Sequence, residues 1–359
     1  MLKWSFKVGS LFRIPIKVHI TFLILLAFVA LMGENIYRSL FGVLFVILIF
    51  ICVIFHELAH SLVARYYGHG VKSITLLPIG GMAQMDDIPE DSKEEILISL
   101  AGPLMSIAIA GLLFILVYLL KIPIVPLDNA TLFEGNILLN LFWINIILAV
   151  FNIIPAFPMD GGRVLRGILN YFMSHLKATR IAVFIGQFFA VLLFFFGVFY
   201  DKNLWMALIA IFIYLGAEAE DRMWAIRHAL SDVLVKEVVL KNYLWLNTGD
   251  TLKTASELFL HTLQGDFPVL FGDRLVGILR RDSIIRGINE GRESERVADL
   301  MERDYLMTTE KQKLIGLYRT MTEKGISMMP VMDGEKLLGI ITLEQIGRYH
   351  MISAAKESD

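Results

Sequence analysis

Residues 56–60 read His-Glu-Leu-Ala-His. On a helix, positions four apart share a face, so His56 and His60 can turn their imidazoles toward one ion while Glu57, beside them, can act as a base. This HExxH pattern suits zinc-dependent peptide hydrolysis. A catalytic zinc needs a third protein ligand and keeps a fourth position open. The candidate is Asp160, within NIIPAFPMDGGR at 152–163. There Pro155 and Pro158 interrupt a helix, and Gly161-Gly162 lets backbone approach the carboxylate. The blander alternatives are a polar cluster joining helices at 56–60 and a helix cap beside Arg163 at Asp160.

The elements around these residues are strongly apolar. The chain has 359 residues, 56% of them hydrophobic, 25 Phe among them, and a mean hydropathy of +0.63, beyond what a soluble core requires. Charge is sparse from His19 to Leu215 and dense from Glu218 onward, as expected of a membrane part followed by a soluble part. A membrane-crossing helix takes about 20 largely apolar residues. Six runs meet or approach that length: His19 to Met32, Leu40 to Val63, Ile96 to Leu120, Ile137 to Ile154, Ile181 to Tyr200 and Leu204 to Ala217. Ionisable groups in such a helix imply function, because burying them in lipid without a partner is costly.

Basic residues flank the runs on alternate sides. Lys3, Lys7, Arg13 and Lys17 precede the first, Arg65 and Lys72 follow the second, and Arg163, Arg166, Lys177 and Arg180 separate the fourth from the fifth. The positive-inside rule places these in the cytoplasm, with Glu34 to Ser39, Ile122 to Gly135 and Asp201 to Asn203 outside. HExxH and Asp160 then lie near cytoplasmic helix ends at similar depth. The expectation is a multi-pass cell membrane protein in contact with lipid, its N-terminus and C-terminal part cytoplasmic. Residues 1–17 show no cleavage site and read as mature protein.

Between the second and third runs, Ile74 to Leu77 has β character, Pro78 and Gly80-Gly81 bend the chain, and Asp86 to Glu95 belongs in water. A hairpin dipping toward the membrane or a plain cytosolic loop both fit. The formal net charge of -2 gives no basic surface for nucleic acid. Cys52, the sole cysteine, reads as a small core hydrophobe. Asn140 and Asn145 can bond across helices or hold a substrate strand. His19 fits an interfacial position, and His69 and His175 are expected in solvent.

Beyond residue 230 the pattern becomes mixed helix and strand and repeats itself. FPVLFGDRLVGILRRDSII at 267–285 echoes MPVMDGEKLLGIITLEQIG at 329–347 as strand, turn, strand and helix, with helical stretches before them at 251–262 and 309–322. Two copies packed as one α/β pair fit better than a longer array.

These motifs together resemble the site-2 protease family of intramembrane metalloproteases, in its branch with cytosolic CBS domains. His56, Glu57 and His60 match the family's HExxH, and Asn152, Pro155, Asp160 and Gly161 match its NxxPxxxxDG. LLPIGG at 76–81 looks like the reentrant hairpin beside the active site, which with the NxxPxxxxDG match implies support or substrate-binding roles for Gly80 and Gly81 and for Asn152. Ala101-Gly102-Pro103 fits the start of the third helix, with Ser106 where many relatives have Asn. The resemblance implies one catalytic Zn2+ per chain and hydrolysis of peptide bonds within or beside a transmembrane helix of a partner protein.

The implied fold class is a polytopic α-helical membrane protein of about six transmembrane helices with a reentrant hairpin, plus a C-terminal cytosolic α/β CBS domain pair. Its divisions are a metalloprotease domain at 1–225 and CBS domains at 230–290 and 295–352. In CBS domains the second strand often runs into Gly-Ile-Val-Thr-x-x-Asp, which helps hold a ribose and phosphates. Here Gly339 to Gln345 keeps Thr342 with Gln in place of Asp, and Gly277 to Ser283 has Arg280 in place of Thr. An adenine nucleotide at Arg280 and Thr342 and a structural or homodimerising pair both remain open. A transporter with a CBS tail and an idle scaffold are the rivals. Ion transport needs no glutamate base beside two metal-binding histidines, and a scaffold need not keep the motif intact.

Overall fold

The computed structural model describes residues 4–85, 91–125, 135–200 and 202–357, in two compact units, Leu2–Trp224 and Ala225–Asp359. The first unit opens with two strands, β1 (Ser5–Leu11) and β2 (Ile14–His19), joined where Phe12 and Arg13 both take positive φ, 49 and 63. Two successive positive φ values give the turn handedness that suits the twist of a hairpin. Two helices, α1 (Ile20–Met32) and α2 (Ile36–Tyr66), return the chain to a second hairpin, β3 (Val71–Leu77) and β4 (Gly80–Met85). The four strands form one sheet in the order β1-β2-β3-β4, with β2 parallel to β3 because the helix pair serves as crossover. Ile14, Ile16 and Val18 alternate inward along β2, and the sheet packs on α2 through Ile14, Leu58 and Ile74. The reading of 1–17 as a basic N-terminal segment did not anticipate these strands.

Three helices continue toward the site. Helix α3 (Ser92–Leu119) starts at Asp91, whose carboxylate accepts from the amides of Lys93 and Glu94 at 2.9 and 3.0 Å. Helix α4 (Ile137–Ile153) is capped likewise by Asn136. A bend holding Pro155 and Pro158 separates it from α5 (Asp160–Leu169). Helix α6 (His175–Phe195) runs into one π turn, and α7 (Leu204–Leu230) follows.

Among the described residues, Ile36–Tyr66, Ser92–Leu119 and His175–Tyr200 are long and apolar enough to cross a membrane, and Ile20–Met32 and Ile137–Ile153 are shorter apolar helices. The run expected at Leu204 to Ala217 lies in α7 and is not in this set, because Glu218, Glu220 and Asp221 follow it too closely. Arg166, counted above as a cytosolic flank, is fully buried. The readings made for Lys3, 86–90, 126–134 and Asp201 fall outside the described residues.

The second unit has a five-stranded sheet in the order β5-β6-β7-β9-β8, formed by β5 (Leu246–Asn247), β6 (Phe267–Phe271), β7 (Arg274–Leu279), β8 (Met328–Asp333) and β9 (Lys336–Thr342). The second strands of the two copies meet antiparallel at Arg274 and Lys336, equivalent positions in the repeat. Helices α8 (Leu252–His261), α9 (Arg281–Asn289), α10 (Val297–Leu300), α11 (Leu314–Lys324) and α12 (Leu343–Glu357) complete it. Each copy has its own core, around Phe267 and Leu279 in one and Val331 and Ile341 in the other.

Candidate active site

His56 and His60 sit on α2 one turn apart, and both are buried. Asp160 reaches them from the first residue of α5. The Nε2 atoms of the two histidines are 3.2 Å apart, and each lies 3.2 Å from Asp160 Oδ2. Three ligands on one face of a tetrahedral zinc with bonds of about 2.05 Å are separated by about 3.3 Å. The triangle therefore has the size that such an ion requires.

The outer nitrogens orient both rings. His60 Nδ1 lies 2.6 Å from the carbonyl oxygen of Ile98, which can only accept, so the Nδ1 proton is held there. His56 Nδ1 lies 2.9 Å from Ser106 Oγ. Both Nε2 atoms are thus directed at the carboxylate, the arrangement by which outer hydrogen bonds fix the tautomer and angle of metal-binding histidines. Three atoms with lone pairs repel one another at this range unless a proton or cation lies among them.

Helix α3 leaves room for this cluster. A Cβ on Gly102 would lie inside contact distance of both Nε2 atoms, so any side chain there would fill the space between the rings. Glu57 is half-buried on the neighbouring face of α2, and β4 crosses it closely, a Cβ on Gly81 falling 2.6 Å from Glu57 Cγ. Gly80 adopts φ 138 at the hairpin turn. Among the described residues, the strand beside the glutamate, β4, is an edge strand of its sheet.

The other candidates are more dispersed. Asn145 donates to Leu141 O at 2.8 Å and Asn152 to Leu148 O at 3.0 Å, each within α4, and Asn145 also meets the Cys52 thiol one turn before His56. Asn140 is buried. In the second unit, Thr342 borders a cavity of about 320 Å³ together with Asp266, Arg281, Ser327 and Gln345. Arg280 pairs instead with Glu302 at 2.6 Å. His69 and His175 are half-buried rather than in solvent: His69 pairs with Glu94 at 2.8 Å, and His175 contacts Asn170 at 2.6 Å and Trp224. His19 caps α1.

The sequence reading missed the Ile98 carbonyl, since a main-chain acceptor leaves no mark in residue type. It also missed that Gly102 is where the rings need space, although the Ala-Gly-Pro triplet inside an apolar helix was a visible signal.

The sequence profile of peptidase family M50 matches residues 44–196, and that of the CBS domain matches 235–290 and 297–350. A zinc metalloprotease of Methanocaldococcus jannaschii is 34% identical over 358 residues, covering 99% of each chain. A candidate zinc metalloprotease of Synechocystis sp. is 27% identical over 375 residues, covering 98% of this chain and 97% of the other. The structure of a site-2 protease from M. jannaschii is 38% identical, with a TM-score of 0.46 over 61% of this chain and 95% of that one.

Proposed function

The chain belongs to peptidase family M50, the site-2 proteases, and is an intramembrane-type zinc metalloprotease with a C-terminal CBS pair, from which we propose that His56, His60 and Asp160 hold the zinc and Glu57 is the general base. The observation that carries this assignment is the triangle of 3.2 Å edges, with the outer nitrogens of both rings already engaged. When bound, zinc supplies Lewis acidity toward the scissile carbonyl and the attacking water. His56 and His60 present neutral nitrogens to it, and Asp160 supplies a compensating negative charge. Glu57 takes the proton of the attacking water and returns it to the leaving amine.

A substrate helix hides its carbonyls in i to i−4 hydrogen bonds, so it must unwind before cleavage. The edge position of β4 supports a role in receiving the unwound strand, since edge addition satisfies the backbone groups that unwinding exposes. Gly81 sets how close that edge runs to Glu57. Gly81→Ala would force the strand or the glutamate to shift, and misplacement of about 1 Å costs on the order of 100-fold in rate. The expected result is a loss of cleavage of that size with zinc content unchanged, read by metal analysis and a cleavage time course.

The finer topology is part of the same proposal. Six crossings, with α7 supplying the sixth and the β3–β4 hairpin reentrant, would leave the N-terminus and the CBS pair in the cytoplasm. The same proposal divides the chain into a metalloprotease domain at 1–225, where the membrane part ends, and CBS domains at 230–290 and 295–352, one for each copy of the repeat. The cavity beside Thr342 is the place for an adenine nucleotide, and pairing of these tails is the route to a homodimer.

The test is zinc content and cleavage of a transmembrane substrate by detergent-purified protein, before and after chelation. One zinc per chain is expected, with cleavage lost on chelation and restored by zinc. Cleavage that persists without zinc would overturn the proposal, and the same assay with ATP reports on the CBS pair.

A further inference from the structure

Helix α5 begins with Asp160 and carries, six residues later, a fully buried arginine. Arg166 donates from Nε to Glu95 Oε1 at 2.7 Å and makes a second, shorter bond from Nη2 to the same oxygen. Its Nη1 donates to Glu220 Oε1 on α7 at 3.2 Å. The guanidinium also lies over two rings, 5.0 Å from the centre of Phe157 and 4.5 Å from that of Trp224. Glu95 is itself buried, and its Oε2 has no hydrogen-bond partner among the described residues.

Arg166 touches no ligand atom, but two of its partners, Glu95 and Phe157, belong to the elements that orient all three, while Glu220 and Trp224 are on α7. Glu95 is on α3, which also bears the Ile98 carbonyl that holds His60, the Gly102 that leaves room for both Nε2 atoms, and the Ser106 that meets His56. Phe157 is in the bend leading directly to Asp160. Desolvating a guanidinium and a carboxylate is expensive, and such a pair adds little stability over apolar residues of equal volume, so its contribution is better sought in geometry.

Resting on the ligand assignment above, we propose that Arg166 is a positioning residue: with Glu95 it locks the helix that supplies Asp160 against the helix that aims His56 and His60, and so sets the affinity of the site for zinc. Arginine suits this role because its planar fork fixes direction as well as charge, which a lysine ammonium does not. On this proposal the pairing helps bring the carboxylate to 3.2 Å from both nitrogens although it comes from 100 or more residues further along the chain.

The experiment measures the zinc dissociation constant of the detergent-purified full chain by chelator competition, on monodisperse fractions only. The variants are Arg166→Gln, Arg166→Lys, Glu95→Gln and Asp160→Asn. Loss of an outer-shell partner typically weakens metal binding about 10–100-fold. That range is the ceiling for Arg166→Gln and Glu95→Gln, which act on the ligands only through α3 and α5, and a measurable loss below it is expected for both, smaller still for Arg166→Lys, which keeps the charge without the fork. A purely structural role would reduce the yield of folded protein while leaving the zinc affinity of the folded fraction at the wild-type value, and that result would overturn the proposal. If Arg166→Gln does not fold, Glu95→Gln decides, because it keeps the shape and an oxygen able to accept both bonds and removes only the negative charge that strengthens them. Wild-type affinity in Asp160→Asn would instead remove the ligand assignment and this inference together. Weakened binding in Asp160→Asn with none in Glu95→Gln would remove this inference alone.

Discussion

Glu57→Gln is expected to keep its zinc and to lower cleavage of a transmembrane substrate by about 10²–10⁴-fold, the range that a positioned general base contributes. The glutamate is outside the triangle formed by His56, His60 and Asp160, so under the proposed ligand assignment its loss would take nothing from the ion's coordination. Glutamine has nearly the same volume and preserves the close packing of β4 at Gly81. It cannot accept the proton of the attacking water, because an amide is far too weak a base. Zinc analysis and a cleavage time course on the same preparation check the result. Cleavage within about tenfold of wild type would mean that another group takes the proton, whereas loss of zinc would mean that Glu57 belongs to the ligand set.

Asp160→Asn acts on the ion first. The carboxylate is the one anionic group of the triangle, and the amide that replaces it offers a weaker oxygen of the same shape. Its effect on zinc affinity should exceed the roughly 10–100-fold expected for an outer partner such as Ser106. Cleavage falls in parallel at limiting zinc and recovers in part when zinc is added in excess. That recovery separates the two variants, since added zinc cannot restore a missing base at position 57. A chelator titration followed by cleavage at several zinc concentrations reads both quantities. Unchanged zinc affinity in Asp160→Asn would leave the site with two of the three proposed protein ligands and reduce Asp160, which is the first residue of α5 and not its N-cap, to a neighbour of the two histidines.

Much of this site was legible before any fold was known, because its strongest signal is local. The spacing of His56, Glu57 and His60 encodes a helical face, and a helix reproduces that face wherever it is placed. The internal repeat at 267–285 and 329–347 was legible for a similar reason, since two copies of one strand-turn-strand-helix unit must bury equivalent faces. The strands at 5–19 were less so. Their apolar side alternates over only Ile14, Ile16 and Val18, and the long apolar helix that begins at Ile20 outweighs so short a pattern.

Charge misled the reading of Arg166, where composition pointed to water and the structure buries the side chain between Glu95 and Glu220. His69 and His175 follow the same logic, each drawn out of solvent by a partner that the linear order did not reveal. A polar side chain is placed by the partners that approach it, and those partners lie on other helices.

By itself, then, the amino-acid order determined the chemistry on offer: two imidazoles and a carboxylate base on one helix, a second carboxylate after a proline-broken helix, and a repeated α/β tail. Only the tertiary structure decided which atoms converge. It placed Ile98 O and Ser106 behind the rings, cleared the space at Gly102, drew β4 across Glu57 and tied α5 to α3 through Arg166 and Glu95. The physical reason is that residue type and period specify which face of an element is apolar or reactive, whereas distances of about 3 Å between distant segments depend on how whole helices pack.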